Sequence, residues 1–246
     1  MTVLPIFGIG EIAPDTDLAQ VLHAALMAQG TPLQEGDIVV VTQKIVSKAE
    51  GCLVDLTDIE PSELAKTWAA RWDKDARVVE IVLRQSRRIV RMDRGVIIAE
   101  TFHGLVCANA GVDQSNVGGG RVTLLPPDPD ASAERIRAGL NSLGGARVGV
   151  VITDTHGRAW REGQVNLAIG VAGVEALRHF EGQHDPTGYE LKVTLLATAD
   201  ELASAAELVM GKIDQVPAAL VRGLPRALGE GKATDLVRPA ATDMFR

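Results

Sequence analysis

The chain has 246 residues, enough for one large domain or two small ones around a sizeable core. Apolar residues make up 46% and charged residues 23%, an ordinary globular composition with no run near the roughly 20 apolar residues of a membrane span. The net charge of −7 argues against a general affinity for nucleic acid or an anionic membrane, so any phosphate site must be built from local cations or metal.

In chain order, Met1-Thr2-Val3-Leu4-Pro5 lacks the basic and apolar regions of a signal peptide, which predicts a cytoplasmic protein. Leu18, Val21, Leu22, Ala25 and Leu26 have helical spacing behind the capping residues Asp15 and Thr16. Gly36-Asp37 opens the strand Ile38 to Thr42, and a lysine-bearing exit loop is expected from Gln43 to Gly51. Helices are predicted from Pro61 to about Arg71, over Val78 to Leu83, over Ala131 to Leu140 and over Ala199 to Met210. Strands are predicted over Val96 to Ala99, Val122 to Leu125, Val148 to Thr153 and Leu191 to Thr198. Gly118-Gly119-Gly120 and Pro126 to Asp130 read as turns, and a subdomain seam is expected near 118–130 inside a single 1–246 unit. Helices and strands alternate irregularly, without the even βαβ spacing of a doubly wound sheet. The expectation is an α+β fold of mixed sheets, neither Rossmann nor P-loop. Cys52 and Cys107 match no metal spacing and read as small buried apolar residues in a reducing compartment.

Chemistry concentrates in five segments. The run Val148 to Ile152 stops at Thr153-Asp154-Thr155-His156-Gly157-Arg158, with Trp160 and Arg161 just beyond. Carboxylates at a strand end hold hard cations, and arginine forks suit phosphate or carboxylate. Ala108 to Asn116 repeats the same residue types around Asp113 and Ser115. From spacing alone, Asp113 and Asp154 serve equally well as magnesium ligands or as caps of turns. Lys44 and Lys48 follow the strand over 38–42 without a Walker glycine pattern, so scattered surface lysines are the default there. Phe7-Gly8-Ile9-Gly10 is a glycine turn able to bring backbone N–H groups to a phosphate. Gly211 is placed to end the last helix, which leaves the loop to Gln215 open to a ligand.

Taken together, these blocks resemble the gamma-glutamyl ligase family of the deazaflavin coenzyme F420, the coenzyme F420-0:L-glutamate ligases, from Leu4-Pro5 to Val221-Arg222-Gly223. The similarity rests on Lys44 to Gly51, Ala108 to Asn116, Leu124-Leu125-Pro126 with Asp128-Pro129-Asp130, Ile152 to Arg158, Asp200 to Ala203 and Leu208 to Gly211. It implies an α+β homodimer that adds L-glutamate to the deazaflavin precursor's carboxylate, with GTP as co-substrate and an acyl phosphate as intermediate. It implies two divalent metals, Mg²⁺ or Mn²⁺, and a monovalent cation as a further candidate. Carried over by position, Asp113 and Asp154 ligate the first metal and Thr155 the second. The GTP site comprises Phe7, Gly8, Ile9, Gly10, Gln43, Lys48 and Asn116 with Leu208, Val209, Met210, Gly211, Lys212, Ile213, Asp214 and Gln215. Lys48 and Arg158 are the candidate catalytic side chains, Lys48 for phosphate and Arg158, with Arg161, for the acidic substrates. The loop Gly211 to Gln215 departs from the family, because Lys212 stands where archaeal relatives tend to be glycine-rich with an acid, and a charged lysine cannot ligate metal. Two other classes share these residues: a metal-dependent GTP phosphohydrolase, and a non-catalytic nucleotide- or deazaflavin-binding protein.

Overall fold

The computed structural model describes residues 1–244, so the last two positions of the expected 1–246 unit lie outside the described residues. The amino-terminal part contains β1 (Thr2–Pro5), α1 (Leu18–Ala28), β2 (Ile38–Thr42), α2 (Gln43–Ala49) and β3 (Leu53–Asp55). There follow α3 (Glu63–Trp72), α4 (Ala76–Arg84), β4 (Ser86–Asp93), β5 (Val96–Thr101), β6 (Val106–Ala108) and β7 (Arg121–Thr123). The remainder is α5 (Pro129–Gly144), β8 (Gly149–Arg158), β9 (Arg161–Ala172), β10 (Arg178–His179), β11 (Leu195–Leu196), α6 (Thr198–Met210) and β12 (Ala218–Arg222). This is the expected mixture of helices and several sheets, α+β.

The main sheet has the order β1-β12-β2-β8-β9, and within it β2 and β8 pair in parallel while the other neighbours are antiparallel. β2 and β8 are central and buried on both faces, which is why Ile38 to Val41 and Val148 to Ile152 are unbroken apolar runs. Alternate side chains feed two cores. Val39, Val41, Val150 and Ile152 pack with Leu22 and Leu26 of α1 and Ile136 and Leu140 of α5. On the other face Ile38, Val40 and Val151 meet Leu202, Ala206 and Met210 of α6. A third core gathers Leu56, Ala65, Val79, Val82, Ile97 and Val122 beneath α3, α4 and the β4-β5-β6 sheet. The chain passes from that core to the first between Leu124 and Leu125.

Local chemistry sets the helix ends. Asp17, and not Asp15 or Thr16, caps α1 by accepting from the Gln20 amide at 3.1 Å; Asp15 is instead left-handed (φ 63°), and its amide binds Ala49. α3 starts two residues later than Pro61 because Ser62 is its cap, accepting from the Ala65 amide. α5 begins at Pro129 behind the Asp128 cap and ends at left-handed Gly145. The expected strand over Leu191 to Thr198 survives only as β11, since the apolar face of Leu191, Val193 and Leu195 is left uncovered, with Val193 85% exposed and Leu195 43%. The strand over Val122 to Leu125 is shifted to Arg121–Thr123.

Two stability predictions follow from this packing. A Cβ at Gly170 of β9 would lie 2.4 Å from the Pro129 carbonyl oxygen, so a backbone atom would have to yield. Gly170→Ala is therefore expected to destabilise by about 1–3 kcal/mol, and an unchanged melting midpoint would show that α5 is not seated on β9 there. Glu80 accepts from the Ser62 amide at 3.0 Å and pairs with Arg84 at 2.8 Å. The bonds from Ser62, ahead of that from Arg84, hold its carboxyl down at about 2 against an ordinary 4.5. A depressed carboxyl stabilises the fold above its unfolded pKa and loses that contribution as pH falls through the folded one. The stability gap between wild type and Glu80→Gln should thus be full near neutrality and shrink between pH 4.5 and 2. A gap independent of pH in acid denaturation would contradict the ion pair.

Candidate active site

The parallel strands β2 and β8 end side by side, with Thr42 paired to Thr153, and their carboxyl ends open into a cleft of about 930 Å³. The chain leaves β2 directly into α2, not into the expected loop. A helix at this point aligns residues four apart, so Lys44 and Lys48 share one face. Gln43 and Lys48 are buried; Gln43 accepts from Ser47 at 2.8 Å, and the Lys48 ammonium meets Glu11 at 2.5 Å. Glu11 comes from the turn after β1.

β8 does not stop at Asp154 as expected. It runs on to Arg158 and returns as β9, so Asp154, Thr155 and His156 lie on a hairpin arm. The Thr155 hydroxyl donates to Asn166 of β9 at 2.8 Å, and the Asp154 carboxylate lies 3.4 Å from His156 Nε2. Opposite, three successive left-handed residues, Asn109, Ala110 and Gly111, turn the chain sharply after β6 and present Asp113. Only glycine fits at position 111, where a Cβ would meet Leu125 at 2.7 Å with φ at 72°. Asp113 accepts from Lys44 at 2.6 Å and from the Ser115 amide at 2.7 Å. Burial opposes its ionisation, but those bonds outweigh burial and hold the carboxyl below its usual range. Burial, with the Asp154 charge adding to it, pushes the nearby Cys107 thiol up to about 12, so it is an inert thiol.

The cleft gathers Ile9, Gly10, Gln43, Lys48, Asp113 and Asn116 of the expected residues. It also takes in Asp154, Thr155, Met210, Gly211, Lys212, Ile213 and Gln215. Seven expected residues lie off its lining. Phe7 is 58% exposed, and its amide binds Gln29, which turns Phe7 and Gly8 away. Leu208 and Val209 remain inside α6, where Leu208 faces solvent and Val209 packs on the second core. Asp214 folds back over Gly211. Arg158 donates to the Glu162 carbonyl at 2.7 Å, within the hairpin, and Arg161 pairs with it at the turn. Conversely, Lys44, Glu11, Gln164 and Asn166 belong to the cleft without having been placed there. The four-residue spacing of Lys44 and Lys48 was the available signal for the first.

Asp113 and Asp154 place carboxylate oxygens on one cleft, the donor type a divalent ion takes with phosphate and water completing its shell. Thr155 fits a second divalent ion poorly: the Lys212 ammonium donates to its hydroxyl at 2.7 Å and also pairs with Glu207. Among the described residues no three His, Cys, Asp or Glu side chains form a ready metal cluster, and no helix is long and apolar enough to cross a membrane.

Fold and cleft together define an α+β protein whose strand-end cleft sets two carboxylates against lysine ammoniums, a combination suited to phosphates and acidic small molecules. Residues 8–223 match the model of the F420-0:gamma-glutamyl ligase family, and the chain belongs to that family. It is 48% identical to the coenzyme F420:L-glutamate ligase of Methanopyrus kandleri, over 96% of this chain and 94% of that relative. The ligases of the same name from Methanocaldococcus jannaschii and Methanothermobacter thermautotrophicus are 45% and 44% identical, each over 99% of this chain and over 94% and 96% of their own lengths.

Proposed function

We propose that this protein joins L-glutamate to the carboxylate of the deazaflavin coenzyme F420 precursor, driven by GTP, and then extends a γ-linked glutamate tail. Family membership together with the meeting of Asp113, Asp154 and Lys48 in one cleft supports this reading. A carboxylate does not condense with an amine at neutral pH, because its oxygen is a poor leaving group. Transfer of the GTP γ-phosphoryl group to the precursor carboxylate yields GDP and an acyl phosphate. The glutamate α-amine then attacks the carbonyl, loses a proton and expels phosphate, and an amide remains.

Lys48 neutralises the transferring phosphate, for which it exchanges its contact with Glu11. Gln43, Asn116 and the turn at Ile9-Gly10 border the nucleotide with the loop from Gly211 to Gln215. A divalent ion held by Asp113 and Asp154, Mg²⁺ or Mn²⁺, offsets phosphate charge when bound. Lys44 restrains Asp113 through their ion pair. The acidic substrates fall to cations of the cleft, since Arg158 lies off its lining.

Mass spectrometry of the precursor incubated with GTP, Mg²⁺ and glutamate tests the reaction. The expected product is heavier by one or more glutamyl units. Phosphate released from GTP without precursor would identify a phosphohydrolase, and binding without turnover a carrier. The protein is further proposed to be a homodimer, for which light scattering should return about twice the chain mass of 26.1 kDa; the mass of a single chain would refute it.

A further inference from the structure

Lys212 follows α6 on a loop whose path is tightly determined. Gly211 ends the helix at φ 63°, and the Asp214 carboxylate lies so close that a Cβ at 211 would be 2.0 Å from Oδ2. Gln215 is left-handed as well, at φ 58°. This path returns Lys212 to the last turn of the helix, where it pairs with Glu207, and across to Thr155 on β8 at 2.7 Å. The Thr155 proton is used toward Asn166, so its oxygen receives Lys212 through a lone pair. Two of the three ammonium N–H groups therefore have partners on the protein, and the third is left for a phosphate oxygen.

Charge separates this position from the neighbouring one. The side-chain bonds of Thr155 go to the Lys212 ammonium and the neutral Asn166 amide, and Lys212 also neutralises Glu207, so among the described residues no free carboxylate joins the Thr155 oxygen to hold a doubly charged ion. Asp113 and Asp154 against Lys44 leave one net negative charge. We infer that Lys212 is a tethered cation taking the place of a second divalent ion beside Thr155. The nucleotide complex of this protein then holds one divalent ion per chain, at Asp113 and Asp154. The inference rests on the reading of the cleft as a GTP and metal site.

Counting bound Mn²⁺ by electron paramagnetic resonance, with the full chain saturated by the slowly hydrolysed analogue β,γ-imido-GTP, tests this without any turnover. Wild type should hold one Mn²⁺ per chain. Lys212→Met keeps most of the side-chain stem and leaves Glu207 uncompensated, so it should hold two. Lys212→Arg keeps the charge and should return to one. The Lys212 side chain is 56% exposed, so neither substitution removes core packing. Two Mn²⁺ in wild type, two in Lys212→Arg, or one in Lys212→Met would overturn the inference while the metal reading stands. No Mn²⁺ in any of the three proteins would overturn the GTP and metal reading, and the inference with it.

Discussion

Asp154→Asn is expected to lower turnover at least about a hundredfold, the loss of ~3 kcal/mol or more of transition-state stabilisation typical when a group facing developing charge is removed. Asparagine preserves the volume but cannot supply the negative charge that holds a divalent ion. Asp154 suits this test better than Asp113 does. Asp113 carries the Lys44 ion pair and the Ser115 amide bond, so its loss disturbs the turn after β6 as well as any metal. Asp154 approaches His156 at 3.4 Å and sits on an arm already fixed by the β8–β9 ladder. The melting midpoint should therefore stay near that of wild type while ligation fails. Near-normal turnover at saturating Mg²⁺ would remove Asp154 from the reaction.

Where apolar periodicity was strong, sequence and structure agree closely. The spacing from Leu18 to Leu26 placed α1 to within a turn, and the runs at Ile38 and Val148 located the two parallel strands whose ends form the cleft. The acids Asp113 and Asp154 could be picked out because each follows such a run. The missing parts share a physical cause, namely order imposed by tertiary partners without a local apolar signal. β9 begins with Arg161 to Gln164, all exposed, so its first half has no buried face to advertise it, and Asn166 went unplaced. α2 has only 7 residues and is polar at Gln43, Lys44, Ser47 and Lys48, which resembles a loop until the floor of the cleft buries three of those four. Leu208 and Val209, assigned by position to the nucleotide site, lie within α6 and off the cleft lining.

That burial changes the expected behaviour of Lys48. As a scattered surface lysine it would matter little to stability, yet 8% of its side chain is exposed against 81% for Glu11. Lys48→Ala removes a buried aliphatic stem, at about 0.8 kcal/mol per methylene, and is expected to weaken both the fold and the site. Lys48→Met separates the two effects, because it keeps most of the stem and deletes only the ammonium. Glu11, nearly all solvated, tolerates the loss of its partner, and an exposed partner makes the pair worth little to the fold. Methionine should therefore leave the melting midpoint close to wild type. Nucleotide affinity should still fall, since a hydrogen bond to a charged group contributes about 1.5–3 kcal/mol, roughly ten- to a hundredfold. Calorimetric titration of both variants with β,γ-imido-GTP and Mg²⁺ decides the matter. Equal weakening in Lys48→Met and Lys48→Ala, with stability lost only in alanine, is the pattern of a phosphate-binding ammonium. Unchanged affinity in Lys48→Met would mean that phosphate is held elsewhere and that the buried lysine serves the floor of the cleft alone.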